Sequence, residues 1–259
     1  MKGIRAWFFR VRERVRDYTS EHGFTCDGCG RELFDYPMRR LCEDCEKCLE
    51  RNDGAVCDKC GRKAVTKGVC LGCKQHLPKF TQGITPFVYR GETAGLVNRI
   101  KNGTPLLAYY FAEQMADAFL KTHKTALDFS QEQDGLLVIP VPLTEKRRKH
   151  RGYNQAEFLA KAVCKALGRK GCKAETEDGI LVKRRETPQQ KHKNYHERME
   201  NVAGAYHVAK RKACRGRTVL LVDDILTTGA TGSECAEKLI SAGASEVVFL
   251  TAAAVPERK

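Results

Sequence analysis

Two groups of residues in this sequence have the types and spacing to do chemistry. The first is the segment VLLVDDILTTGAT, residues 219–231, in which an apolar run leads into two acids and a hydroxyl-rich turn. Adjacent carboxylates at the end of a strand can accept hydrogen bonds from vicinal hydroxyls such as those of a ribose, and the amides of a helix N-terminus bind phosphate. The segment therefore predicts a site for a phosphorylated sugar. Its candidate residues are Asp223, Asp224, Thr227, Thr228, Gly229, Ala230 and Thr231.

The glycine of this turn has a specific use. Without a Cβ atom, Gly229 lets the backbone approach an anion closely. A nucleotide-binding P-loop needs two glycines followed by Lys and Ser or Thr, and the segment lacks that pattern. The turn is therefore predicted to bind phosphate in a different way from a P-loop.

The second group is a set of cysteines near the N-terminal end. Nine of the 13 cysteines fall between Cys26 and Cys73, and most form CxxC pairs that repeat after about thirty residues. Four thiolates suit tetrahedral zinc, with an iron–sulfur cluster as the weaker alternative. The simplest pairing gives two zinc ions, one held by Cys26, Cys29, Cys42 and Cys45, the other by Cys57, Cys60, Cys70 and Cys73. Two alternatives fit as well: Cys48 could replace Cys42, or the two repeats could exchange pairs.

The charge of the chain is strongly positive and uneven. The net charge is +14, and residues 145–215 contain 20 Lys and Arg against 8 Asp and Glu. Such a field attracts polyanions, including nucleic acids and pyrophosphate. The sequence has neither a secretory signal at its N-terminus nor an apolar run that could span a membrane, and CxxC spacing favours metal ligation in a reducing compartment. We therefore expect a cytoplasmic protein.

The remaining pattern indicates how these groups are positioned. Residues 1–25 predict a basic amphipathic helix and residues 26–77 a double zinc ribbon. From residue 78 to 259, short apolar runs at 135–139, 218–222 and 247–252 alternate with helical patterns at 153–167 and 232–242. This alternation is typical of an α/β domain with a mainly parallel sheet flanked by helices.

The segment at 219–231 resembles the ribose-phosphate loop of type I phosphoribosyltransferases. Together with the preceding cysteine ribbons, the whole layout from residue 26 to 254 resembles the ComF family of competence-associated phosphoribosyltransferase-like proteins. Further matches are the segments PVPL (140–143), RGYNQ (151–155), TPQQ (187–190) and ERMENV (197–202).

The resemblance implies roles for further residues. The family's pyrophosphate loop corresponds to Pro140, Val141, Pro142 and Leu143. The cations that follow, Arg151 among them, could neutralise a leaving pyrophosphate. Arg184 and Gln190 lie in a polar segment long enough to form the flap that such enzymes close over their substrate.

The resemblance also implies a function. We expect the chain to bind phosphoribosyl pyrophosphate with Mg²⁺ and to transfer phosphoribose to an acceptor that the sequence does not identify. The alternative is a protein that binds single-stranded DNA and keeps the same fold as a ligand sensor or scaffold. Other DNA-uptake proteins are further expected partners.

Overall fold

The computed structural model describes residues 25–34, 40–122, 135–187 and 195–257. These residues form two compact units that divide between Cys48 and Leu49. The predicted N-terminal helix lies outside the described residues, apart from Thr25. None of the helices in the described ranges is long and apolar enough to cross a membrane.

The smaller unit is built around turns. An isolated bridge pairs Thr25 with Glu32, and one short helix, α1, spans Glu43–Lys47. The first four-cysteine group lies in this unit.

The larger unit is an α/β structure. Its strands are β1 (Gln82–Ile84), β2 (Phe87–Val88), β3 (Leu136–Pro140), β4 (Ala174–Thr176), β5 (Leu181–Lys183), β6 (Tyr206–Val208), β7 (Thr218–Leu226) and β8 (Glu246–Ala254). Its helices are α2 (Leu71–Gln75), α3 (Gly91–Lys101), α4 (Ala108–Thr122), α5 (Glu145–Arg151), α6 (Gln155–Arg169), α7 (Tyr195–Val202), α8 (Arg211–Cys214) and α9 (Ala230–Ser241), with a 3₁₀ turn at Pro105–Leu107.

The main sheet is parallel throughout. Its order is β1-β8-β7-β3-β4, and β2 extends the β1 edge by pairing with β8. Strands β5 and β6 form a separate antiparallel pair. This architecture confirms the predicted mainly parallel α/β fold.

Both faces of the sheet are covered, as near-continuous apolar strands require. Alternate residues such as Leu137, Leu221 and Phe249 share a core with α9. Their neighbours on the other face are also buried, and α4 and α6 contact the strands. The second cysteine group belongs to the same core as α9.

Candidate functional site

The acidic pair lies on the central strand β7. Asp223 is partly buried and Asp224 is 4% exposed, and the amide of Asp224 donates to Oδ1 of Asp223 at 2.9 Å. Burial and the neighbouring charge of Asp224 raise the pKa of Asp223 well above the usual value for an aspartate. Strand β7 continues past both acids to Leu226, paired with β8, whereas the apolar run alone predicts an end near residue 222. Both carboxyl groups therefore lie close to the carboxyl end of a central parallel strand, where ligands of α/β proteins bind.

The hydroxyl-rich turn connects β7 to α9. Gly229 is the N-cap of α9 and has a φ of 86°, a conformation that favours glycine. The amide of Ala230 donates to Oγ1 of Thr228 at 3.4 Å, and Thr231 lies in the first turn of the helix. The turn therefore brings hydroxyl groups and the N-terminus of a 12-residue helix to one place, an arrangement that attracts phosphate.

The loop after β3 lies at the same edge of the sheet. Because β3 and β7 are parallel neighbours, Pro140 pairs with Val222, and the amide of Val141 donates to the carbonyl of Val222 at 2.9 Å. The buried side chain of Asn154 donates to the carbonyl of Val141 at 3.0 Å. The RGYNQ segment therefore fixes the loop of residues 140–143 next to the acidic pair.

The basic helix α5 follows this loop. Thr144 caps it, accepting from the amide of Arg147 at 3.4 Å. Arg151 ends it and donates to Oε1 of Gln155 at 2.5 Å, after which Gly152 turns the chain at a φ of 86°. Lys146, Arg148, Lys149 and His150 are exposed. The helix thus presents a concentrated positive charge beside the loop.

The predicted flap is connected to the β5–β6 pair. Arg184 is exposed, and its amide donates to the carbonyl of Ala205 at 2.9 Å. Gln190 lies outside the described residues. Arg147 donates to the carbonyl of Thr187 at 2.7 Å and pairs with Glu186 at 3.3 Å, and Glu186 also bonds to Thr144. The start of the flap segment is therefore held against the first turn of α5.

The sulfur atoms of each four-cysteine group lie close to one another. The sulfur atoms of Cys26, Cys29, Cys42 and Cys45 all lie within 4.8 Å of one another, as do those of Cys57, Cys60, Cys70 and Cys73. Tetrahedral zinc with bonds of about 2.3 Å needs sulfur atoms ~3.8 Å apart. The Cys29–Cys42 and Cys60–Cys70 sulfur distances are 3.7 and 3.8 Å. Each group contains cysteines of one repeat only, and Cys48 is exposed outside them.

Backbone amides donate hydrogen bonds to a sulfur atom in each cysteine group. Cys42 donates its amide to Sγ of Cys26, and Cys70 does the same to Cys57, both at 3.2 Å. A hydrogen bond with Cys73 and the charge of Arg62 lower the pKa of Cys60 to about 5. These contacts stabilise negative charge on sulfur atoms in both groups, and together with the sulfur spacing they make the donor sets fit zinc.

The second group is packed onto the sheet of the larger unit. A Cβ atom on Gly61 would lie 2.2 Å from the carbonyl oxygen of Gly83, and one on Gly83 would lie 2.4 Å from the carbonyl of Cys60. The amide of Gly83 donates to the carbonyl of Lys59 at 2.8 Å. Only glycines allow the two backbones to approach so closely.

Sequence reasoning missed three side chains at the site. Nζ of Lys101 lies 2.7 Å from Oδ2 of Asp224. Lys183 lies over the ring of Tyr206 at 5.0 Å and donates to Thr187 at 2.8 Å. Burial, followed by the charge of Arg147, lowers the pKa of Lys183, and burial raises that of Tyr206. Each is a single residue far from the acidic pair in sequence, with no motif around it that indicates a site.

Comparisons with known proteins agree with this geometry. Residues 150–259 match the phosphoribosyl transferase domain model. Competence protein ComFC of Bacillus subtilis is 24% identical over 85% of this chain and 86% of its own length. DNA utilization protein YhgH of Escherichia coli strain K12 is 25% identical over 80% and 87%. Competence protein F of Haemophilus influenzae is 26% identical over 86% and 94%.

These relatives extend across both units rather than the matched domain alone. Their alignments cover 80–86% of this chain, far more than the domain match at residues 150–259. In its phosphoribosyl transferase domain and its two four-cysteine groups, the chain is similar to the competence proteins ComFC and F over most of its length.

Proposed function

We propose that the chain binds phosphoribosyl pyrophosphate with Mg²⁺ and transfers its phosphoribosyl group to an acceptor. The observation that carries this proposal is the position of Asp223 and Asp224 on β7, directly before the turn at Gly229 and the N-terminus of α9. The two carboxylates would accept hydrogen bonds from the ribose hydroxyls. The amides and hydroxyls of residues 227–231 would bind the 5′-phosphate.

The pyrophosphate of the ligand would lie against the loop of residues 140–143. This loop is beside β7, and the positive helix α5 follows it. Arg147 and Arg151 would attract the developing charge as the bond from C1 of the ribose to pyrophosphate breaks and a bond from C1 to the acceptor forms. Mg²⁺ bound by the diphosphate and ribose oxygens would add charge neutralisation without a dedicated protein cage.

Calorimetric titration with phosphoribosyl pyrophosphate and Mg²⁺ tests the proposal. We expect binding by the wild type and its loss in the double variant Asp223→Asn/Asp224→Asn. Glu237→Gln, a partly exposed carboxylate on α9, is the matched control and retains affinity. Equal affinity in the double variant would show that the ligand binds elsewhere, and no binding by folded wild type would overturn the proposal.

We further propose that each cysteine group holds one zinc ion. The sulfur spacing and the amide donors support this assignment. In both units the zinc would replace part of the hydrophobic core that short, turn-rich segments cannot build. Metal analysis of the purified protein is the direct test, with about two zinc ions per chain expected from the two four-cysteine groups.

A second function, binding of single-stranded DNA in the cytoplasm, is favoured by charge. The net charge is +14, and α5 exposes several of its cations. Similar proteins carry the names competence protein and DNA utilization protein. A role in DNA uptake alongside other uptake proteins follows as a proposal. Fluorescence anisotropy with a labelled single-stranded oligonucleotide tests it, and absence of binding at low salt would reject it.

A further inference from the structure

Asp224 has an unusual environment for a carboxylate. Its side chain is 6% exposed, and among the described residues its Oδ2 atom is contacted by an ion pair alone. The ammonium of Lys101 lies 2.7 Å from that oxygen, with the lysine side chain 21% exposed. A buried charge without a partner is strongly unfavourable. The ammonium of Lys101 is therefore the counter-charge that lies next to Asp224 at this buried position.

Lys101 comes from a part of the chain that no site motif includes. It is the last residue of α3 and precedes the segment that matches the phosphoribosyl transferase domain model. Helix α3 is anchored by buried side chains, Ile100 among them. Because one face of the helix is buried along its length, the backbone that carries Lys101 is fixed. The helix C-terminus also favours a positive charge there.

Tyr153 holds this helix end in place. Its hydroxyl donates to the carbonyl of Ile100 at 2.5 Å and accepts from the amide of Gly103 at 3.3 Å. The next residue, Asn154, holds the loop after β3 through the carbonyl of Val141. The RGYNQ segment thus connects the helix end that carries Lys101 with the loop beside the acidic pair.

We propose that Lys101 is a positioning residue for phosphoribosyl binding. Its ammonium neutralises Oδ2 of Asp224 and fixes the carboxylate so that Oδ1 accepts a ribose hydroxyl. Tyr153 holds the helix end that carries the lysine. This inference rests on the proposed function, because it assigns Lys101 to the same ligand site.

Lys101 also affects the pKa of the other acid of the pair, Asp223. Burial and the charge of Asp224 raise the pKa of Asp223, and Lys101 opposes that rise. Other ionisable groups that interact with Asp223 come from β5, β6 and α9, and they are Lys183, Tyr206 and Cys235. Arg147 of α5 interacts with the first two of these. Removal of the Lys101 charge therefore raises the pKa of Asp223 further, since the other groups stay in place.

The test compares four variants by titration with phosphoribosyl pyrophosphate and Mg²⁺ between pH 5 and pH 9. Lys101→Met is expected to weaken binding about 10- to 100-fold, because one partner of a buried charge pair is lost. Its loss of affinity on acidification should begin at higher pH than in wild type. Lys101→Arg should recover most of the affinity. Arg99→Met removes an exposed cation from the same helix and should bind like wild type.

Tyr153→Phe provides an independent variant should Lys101→Met unfold. It keeps every charge and removes only the hydroxyl, so a severalfold loss of affinity with unchanged net charge supports positioning. Unchanged affinity and an unchanged pH profile in Lys101→Met overturn the inference while the proposed function stands. Tighter binding in Lys101→Met also overturns it, since the lysine would then compete with ligand. No binding by wild type overturns both.

Discussion

The ring of Phe80 lies 3.9 Å from the position that a Cβ atom on Gly229 would occupy. Phe80 is fully buried and follows the second cysteine group in the chain, while Gly229 is the N-cap of α9 in the proposed phosphate site. The neighbouring amide of Lys79 donates to Oγ of Ser233 in that helix at 3.0 Å. The segment that follows the second cysteine group therefore packs directly against the start of α9.

This connection predicts that the two metal sites differ in their effect on ligand binding. We expect Cys70→Ser/Cys73→Ser to weaken binding of phosphoribosyl pyrophosphate, because these cysteines share a core with Phe80 and Ala230. The matched change in the smaller unit, Cys42→Ser/Cys45→Ser, should leave the affinity within about twofold, because neither cysteine belongs to that core cluster. Titration calorimetry with circular dichroism on each variant measures both outcomes. Equal losses in the two variants would contradict the connection.

The zinc content of the same variants tests the assignment of one metal ion to each cysteine group. Each group holds four sulfur atoms within 4.8 Å of one another, so the wild type should contain about two zinc ions per chain. Each double serine variant should contain about one. Inductively coupled plasma mass spectrometry after gel filtration measures this ratio. One zinc in the wild type, or iron in its place, would contradict the assignment.

The features that the sequence predicts depend on patterns within one short segment. The apolar run before Asp223 and the turn after it are contiguous, so strand, acids and helix start can be recognised together. The CxxC spacing likewise confines each thiol pair to one tight turn. The pairing of Cys42 rather than Cys48 is a tertiary fact, because both residues satisfy the spacing.

The features that the sequence does not predict depend on contacts between segments that are far apart in the chain. Lys101 reaches Asp224 only because the fold brings the end of α3 to β7. The two cysteine repeats look equivalent, yet the second packs on the sheet because Gly61 and Gly83 allow close backbone contact. Strand β7 extends through the polar residues because β8 supplies a pairing partner as far as Ala254.

The raised pKa of Asp223 predicts that this residue destabilises the fold at neutral pH. The folded state holds the proton more tightly than the unfolded state, where the pKa is about 3.9. Stability is therefore lost as pH rises from that value to the raised pKa of the folded state. Asp223→Asn removes the ionisation and keeps an Oδ1 acceptor for the amide of Asp224.

We expect the variant to melt at a higher temperature than wild type at pH 7, with a difference that shrinks toward pH 4. Each kcal/mol gained would raise the melting temperature by about 2–4 °C in a chain of this size. Differential scanning fluorimetry across pH measures the effect, and Asp53→Asn, an exposed carboxylate, is the control. A difference that does not vary with pH would contradict the pKa argument.

The proposed binding of single-stranded DNA should depend steeply on salt. For about three to five phosphates contacted, affinity should fall on the order of 20- to 100-fold between 50 and 200 mM salt. Lys146→Gln/Lys149→Gln, which removes two exposed charges of α5, should flatten this dependence. Lys161→Gln/Lys165→Gln on α6 removes the same charge elsewhere and should change the slope less. Anisotropy titrations at several salt concentrations give the slopes, and salt-independent binding would reject a role for the basic helix.

Gly229→Ala should impair the phosphate site through the backbone alone. The nearest atoms to an added Cβ are 3.9 Å away, so the methyl group fits, but the φ of 86° strains any residue other than glycine by about 1–2 kcal/mol. Relief of that strain would turn the amides at the start of α9 away from the ligand. Gly179→Ala is the matched control, since Gly179 has a φ of 79° and open space around it outside the site. Both variants should lose similar stability in urea denaturation, whereas only Gly229→Ala should lose affinity for phosphoribosyl pyrophosphate. Equal affinities in the two variants would mean that the turn does not hold the phosphate.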